Sequence, residues 1–238
     1  MTKVVTFSTN KSYQKYAIAL VKSLRVVYSE KIVCRCVNCD ESFISFLHDH
    51  DVEIIEDNIF LDKKKRLKNS IDTPFLKNGT YNKNCLCDDE VTYTCHSRFY
   101  NAKFIFENYK NCVVALLDCD FLIISNIDEL FDLKGSDIKI MDSINCVHED
   151  CIVISNTING RTFINNIITT LNDNLFFWDQ DTIALKEAFA SDPSLRINPL
   201  DLKFKDYTLS NSSVIWSGDG HAKYNQKFID KYNQIMLL

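Results

Sequence analysis

The sequence predicts an α/β fold built on a largely parallel sheet, and three observations carry that expectation. Apolar runs of strand length alternate with stretches whose apolar residues recur at helical spacing, the pattern of successive βαβ units. The run Cys112–Leu117 is apolar at every position, as in a strand covered on both faces. No internal repeat and no stretch rich in Gly, Pro or Ser divides the chain, so residues 1–238 read as one domain.

Taken in order, residues 4–8 form the expected first strand. In residues 12–28, Tyr16, Ala19, Leu20, Ser23, Leu24 and Val27 fall on one helical stripe. Residues 31–37 read as a strand, 41–50 as a helix and 52–55 as a short strand. Residues 57–92 are polar and irregular, with the basic run Lys63-Lys64-Lys65-Arg66 and the turn-formers Pro74 and Gly79. Two readings stand for this segment: a solvated face, or a loop over a substrate site. A helix follows over 94–109, then the buried strand Cys112–Leu117. A short helix is expected at 127–131, strands at 138–141 and 151–155, helices at 162–171 and 181–189, and a last helix at 226–234.

Composition narrows the function classes. Apolar residues make up 46% and charged residues 25%, ordinary for a globular protein. A chain this long buries roughly 70% of the surface it exposes when unfolded. The net charge of -5 argues against a nucleic-acid partner, which needs a basic face. The longest apolar stretches are far shorter than the ~20 residues of a membrane span. Residues 1–7 lack the apolar core of a signal peptide, so the expected compartment is the cytoplasm, or a host's cytoplasm for a viral protein. The ten cysteines include Cys34, Cys36 and Cys39, and also Cys85 and Cys87, but form no clean pair of CxxC knuckles. They read as reduced, buried, small hydrophobes.

The chemistry concentrates at Asp118-Cys119-Asp120, where the apolar strand runs out and Phe121-Leu122-Ile123 follows. In an extended segment alternate side chains share a face, so both carboxylates point the same way. Two converging negative charges at the edge of a core are costly without compensation. A hard divalent ion supplies it and also bridges to phosphates. In parallel α/β sheets, ligands bind at the carboxyl ends of strands. The blander reading is a pair of capping or turn aspartates.

Apolar strand, Asp-x-Asp, apolar residues and then Ile127-Asp128-Glu129-Leu130-Phe131 resemble the metal centre of GT-A glycosyltransferases, closest to the glycogenin and galactosyltransferase group called family 8. The helix before the motif carries Ser97-Arg98-Phe99-Tyr100-Asn101-Ala102-Lys103, and Asp179-Gln180-Asp181 opens a later helix. Together with the opening segment Thr6-Phe7-Ser8-Thr9-Asn10 through Tyr13, the resemblance runs nearly the whole chain, to about Lys223. It implies a single GT-A domain with a Rossmann-like sheet, and transfer of a sugar from a UDP- or GDP-linked donor to a hydroxyl or glycan acceptor, with Mn2+ or Mg2+ as cofactor.

Residue by residue, the resemblance implies donor contacts from Thr6, Phe7, Ser8, Asn10, Tyr13, Arg98, Asp118 and Lys223. It implies metal binding by Asp118 and Asp120, and acceptor-side or catalytic roles for Asp179, Gln180 and Asp181. Members often add a third metal ligand from His-x-x-Gly-x-x-Lys near the C-terminus. Here Gly220 and Lys223 fit that pattern, Ser217 stands at the ligand position and His221 lies four residues later, so the third ligand is His221 or the Ser217 position. An inverting enzyme would take Asp179 or Asp181 as base, whereas a retaining one would place Gln180 near the anomeric carbon; capping is the plain reading of Asp179. Asp142 and Asn156 are weaker acceptor-side candidates. Trp178 and Trp216 are candidate stacking surfaces, though large aromatics are more often core. The competing classes are a nucleotidyltransferase, a phosphohydrolase with a nucleophilic Asp, and a degenerate nucleotide-sugar-binding or carbohydrate-binding relative. Ser8-Thr9-Asn10-Lys11 is not the Gly-rich loop the first requires, and the second carries its motif near the N-terminus.

Overall fold

A computed structural model describes residues 1–57, 89–143, 146–173, 180–218 and 222–238. Lys63 to Arg66, Pro74, Gly79, Cys85, Cys87, Trp178, Asp179, Gly220 and His221, all singled out in the sequence, lie outside them.

The elements begin with β1 (Thr2–Asn10), α1 (Gln14–Val27), β2 (Lys31–Val37), α2 (Glu41–Asp49), β3 (Val52–Asp57), α3 (Asp89–Asn108) and β4 (Cys112–Leu117). They continue with β5 (Leu122–Ile123), β6 (Ile138–Ser143), β7 (Cys146–Ser155), α4 (Ile158–Asp173), α5 (Gln180–Ser191), β8 (Ile197–Pro199), β9 (Ile215–Trp216) and α6 (Gln226–Met236). Short 3-10 turns occupy Asp128–Phe131, Leu202–Phe204 and Ala222–Tyr224. The main sheet has seven strands in the order β3-β2-β1-β4-β7-β6-β8, and β5 pairs with β9 in a second, two-stranded sheet.

Strands β1 to β4 pair in parallel, as the alternation of strands and helices requires. Beyond β4 the sheet becomes mixed: β7 runs antiparallel to both β4 and β6, and β6 is parallel to β8. The core is double because β1 and β4 are covered on both faces. Val5, Phe7, Val113, Ala115 and Leu117 pack with Leu20, Leu24 and Phe43 of α1 and α2. Val4, Val114 and Leu116 pack with Phe99 of α3, Phe163 of α4 and Leu185 of α5 on the other side. Every residue of β4 is buried, which is what its uninterrupted apolar sequence dictates. The strand therefore delivers Asp118, the first residue past its end, to a fixed point at the rim of the core.

Candidate active site

Asp118 and Asp120 do not lie in an extended segment. Strand β4 ends at Leu117, and residues 119 and 120 form a turn before β5. The expected shared face is thus replaced by two separate ion pairs. Arg98, from the middle of α3 and 3% exposed, directs Nη1 at Asp118 Oδ1 and Nη2 at Asp181 Oδ2, 3.0 Å away at the start of α5. Lys223 places Nζ 3.2 Å from Asp120 Oδ2 and over the rings of Tyr13, at 5.4 Å, and Tyr16, at 5.8 Å. One guanidinium therefore ties β4 to α3 and α5, and one ammonium ties the turn to α1. Such charge-assisted contacts are directional and strong when water is excluded.

The amino-terminal half of β7, which runs antiparallel to β4, adds two further acids beside Asp118. Between β6 and β7 the pairing jumps from Ile140↔Ile152 to Met141↔His148, which leaves Glu149, Asp150 and Cys151 opposite no β6 residue. Bulges of this kind re-aim side chains beside active sites. The Asp150 carbonyl accepts the Asp118 N–H at 3.0 Å, and its buried carboxylate lies 2.6 Å from Lys205 Nζ, itself 3% exposed. Glu149 feels the charges of Asp181 and Arg98.

The electrostatics follow from this crowding. Partial burial pushes the Asp118 carboxyl, a third of whose side chain still meets solvent, above the usual carboxylate range; Arg98 pulls it back, and Asp150, Asp120 and Glu149 push it up again. Burial and Asp181 likewise raise Glu149, against Arg98. Burial alone would lower Lys223, but the charge of Asp120, helped by Tyr13, outweighs it and the ammonium is held more firmly than a free lysine's. Arg98 is kept charged in the same way, Asp118 and Asp181 outweighing its burial.

Whether the cluster suits a divalent ion is decided by donor type and charge. Among the described residues, Asp118, Asp120, Glu149, Asp150 and Asp181 gather around Arg98, Lys205 and Lys223, so acidic side chains outnumber basic ones. All the acidic donors are hard oxygens, suited to Mg2+ or Mn2+. Among the described residues no group of three or more His, Cys, Asp or Glu is gathered for a metal. Asp118 and Asp120 would then supply protein oxygens to an ion whose other positions go to water and phosphate, as is usual for Mg2+. The residues fit.

No family model matches the chain, and no curated protein matches it in sequence. Solved structures do. The apo-form glycosyltransferase GlyE of Streptococcus pneumoniae TIGR4 superposes with a TM-score of 0.64 at 14% identity, covering 100% of this chain; the chain spans 61% of GlyE's length. The galactosyltransferase LgtC, solved in complex with donor and acceptor sugar analogs, matches with a TM-score of 0.62 at 11% identity over 98% of this chain and 94% of LgtC. A glycosyltransferase involved in glycosylation of the major capsid of PBCV-1 matches with a TM-score of 0.56 at 9% identity over the whole of both chains. The fold is that of the GT-A glycosyltransferases.

Within this GT-A frame the structure brings together Arg98, Asp118, Asp120, Asp181, Tyr13 and Lys223. It does not bring in all the others. Thr6 and Phe7 are fully buried in β1, Phe7 within the core that α1 and α2 cover. Ser8 is occupied by Ser97 and Asn101 of α3. Asn10 Oδ1 accepts the backbone N–H groups of Ser12 and Tyr13, shaping the turn into α1. Gln180 is buried with Nε2 3.5 Å from the Thr170 carbonyl of α4, while both Asp181 oxygens are taken, one by Arg98 and one by the Thr182 N–H. Asn156 belongs to the opposite end of the sheet, its amide donating to the carbonyls of Phe106 and Tyr109. Trp216 is core, with Nε1 donating to the Ser210 carbonyl. Ser217 is fully buried, and Gly218 beside it is required: a Cβ there would stand 2.5 Å from the Asp120 carbonyl oxygen.

Residues that the sequence reading passed over include Glu149, Asp150, Lys205, Tyr16 and His96, whose Nε2 is 3.8 Å from Asp181 Oδ1. A local signal existed for two of them: Glu149-Asp150 is a second acidic pair abutting an apolar strand.

Proposed function

We propose that the chain is a metal-dependent glycosyltransferase, one domain over residues 1–238, that moves a sugar from a UDP- or GDP-linked donor to a hydroxyl on a glycan or other acceptor. The observation that carries this reading is the pair Asp118 and Asp120 at the carboxyl end of β4, each against a cation from a different element, in a site with surplus negative charge. The GT-A fold, shared with glycosyltransferases over 98% to 100% of the chain, supports sugar transfer as the chemistry.

Asp118 and Asp120 would hold Mn2+ or Mg2+. When bound, that ion supplies Lewis-acid stabilisation of the diphosphate leaving group. The chain's own cations complete the reading: Lys223 is the candidate diphosphate donor, and Arg98 fixes the orientation of Asp118 while offsetting its charge. Asp181 serves as the tie between Arg98 and α5, which leaves it poorly suited to act as a base. Cys34, Cys36, Cys39, Cys95, Cys112, Cys119 and Cys151 are free thiols. Among the described residues no helix is long and apolar enough to cross a membrane.

Calorimetric titration of UDP and GDP with and without Mn2+ tests the reading. Binding that needs Mn2+ and is lost in Asp120→Ala is the expected outcome; metal-independent binding, or none in any combination, overturns it.

A further inference from the structure

Lys223 is held on two sides. Its Nζ lies 3.2 Å from Asp120 Oδ2, on the carboxylate that would meet a divalent ion, and the same ammonium sits over Tyr13 at 5.4 Å and Tyr16 at 5.8 Å. The two rings are 6.0 Å apart and tilted by 45°, and Tyr16 is braced edge-on by Tyr232 of α6 at 5.9 Å. This is a cation cage with one anionic wall. A lysine that served only as a surface contact to phosphate would not need such a resting place, since cation–π walls stabilise a partly desolvated ammonium.

We infer that Lys223 is the internal counter-ion of Asp120, parked by Tyr13 and Tyr16, and that a divalent ion competes with it for the same carboxylate. An ion on Asp120 repels the ammonium, which the cage keeps close enough to donate to the diphosphate instead. Metal entry and capture of the nucleotide are thereby coupled through one side chain, and Tyr16 acts as a positioning residue through Lys223. The inference rests on the proposed metal-dependent nucleotide binding and adds a sign that this reading alone does not contain: the same lysine weakens metal binding when nucleotide is absent and strengthens nucleotide binding when metal is present.

The test measures Mn2+ alone, by the loss of the free-ion electron paramagnetic resonance signal on titration of the full chain, and then UDP and GDP at saturating Mn2+. Lys223→Gln is expected to bind Mn2+ alone roughly fivefold more tightly, the order expected for removing a partly exposed competing charge. It is expected to bind nucleotide at least about tenfold more weakly, as for loss of one charge-assisted contact. Tyr16→Leu should shift both constants in the same directions by about twofold, and Tyr16→Phe, which keeps the ring face, should match the parent. Unchanged or weaker Mn2+ binding in Lys223→Gln overturns the inference while leaving metal-dependent nucleotide binding standing. Failure of the parent chain to bind nucleotide with Mn2+ overturns both. A Tyr16→Phe variant that behaves like Tyr16→Leu removes the cage from the argument and counts against it.

Discussion

Asp118 and Asp137 are rim carboxylates at opposite ends of one sheet, and their surroundings differ in kind. Asp137, just before β6 and 1% exposed, is saturated: it accepts from Arg196 Nε and Nη2, from the Arg196 N–H, from Thr157 Oγ1 and from Asn159 Nδ2. Those donors, Arg196 foremost and against the cost of burial, hold it well below the usual carboxylate range. Asp118 has one guanidinium and three acidic neighbours, and is raised. The first arrangement spends its donors on stability. The second crowds acidic groups around a single guanidinium, the kind of perturbed cluster that marks a candidate functional site. A cavity of about 670 Å³ at the Asp137 end, lined by Lys3, Phe131, Lys134 and Arg196 among others, shows that open space alone does not mark the chemistry.

The comparison breaks most visibly at Asp120. Asp120→Ala should lower Mn2+-dependent donor hydrolysis by about 10³-fold, the scale for losing a transition-state charge stabiliser. Its melting temperature should stay within a few degrees of the parent's, because losing the ion pair with Lys223 is offset by relief of the repulsion between Asp120 and Asp118. A collapse in melting temperature would make Asp120 equivalent to Asp137 and erase the distinction. Asp137→Ala should do the reverse. Removing the acceptor of five hydrogen bonds at a buried point should cost about 3 kcal/mol in denaturant unfolding, with donor hydrolysis per folded molecule unchanged.

Gly218→Ala gives a smaller effect at the functional end. Its Cβ would stand 2.5 Å from the Asp120 carbonyl oxygen and 3.1 Å from Asp120 Cγ, so the turn must shift. Displacements of that kind at a site cost about tenfold to a hundredfold in rate. The expected reading is weaker Mn2+-dependent UDP or GDP binding with near-parental stability.

How much of this was legible in the sequence depended on where the determining contact lies. Helix α1 and strand β4 were readable because their apolar spacing is local: of the expected stripe Ala19, Leu20, Ser23 and Leu24 are buried, with Tyr16 and Val27 at its partly exposed margins, and 112–117 is apolar throughout. Helix α3 begins five residues before the expected Thr94, because its first turn is held by polar contacts made at a distance, Glu90 with Asn38 and Tyr93 with Asp57, which leave no periodic signal. The antiparallel course of β7 and its bulge are set by pairing with β4 and β6, so Asp150 and Lys205 could not be joined on paper. Thr6 and Phe7 were assigned to the donor by resemblance; both are buried within β1, a placement set by pairing and packing on either side of the strand rather than by local spacing. Arg98, Asp118, Asp120 and Lys223 were nominated by the resemblance, and the structure sets Arg98, from the middle of α3, against Asp118 and Lys223 against Asp120.

The finest test of the comparison is the sign of the pH dependence at each end. A carboxyl lowered in the folded state contributes stability that is present above its unfolded value, about 3.9, and is lost as pH falls. Asp137 does this, so acid should weaken the parent but have less effect on Asp137→Asn. A carboxyl raised in the folded state contributes in the opposite sense: its share is present below the unfolded value and lost as pH climbs through the folded one. Asp118 and Glu149 do that. Without metal, stability should therefore sag on the neutral side, and saturating Mn2+ should raise the melting temperature more at pH 8 than at pH 5.5. Asp118→Asn should relieve the neutral sag by at most about 1 kcal/mol, since a third of the Asp118 side chain is exposed and solvent screens the repulsion. Equal Mn2+ stabilisation at both pH values would mean that the carboxylates at the end of β4 are already balanced by Arg98, Lys205 and Lys223, and the contrast with Asp137 would fail.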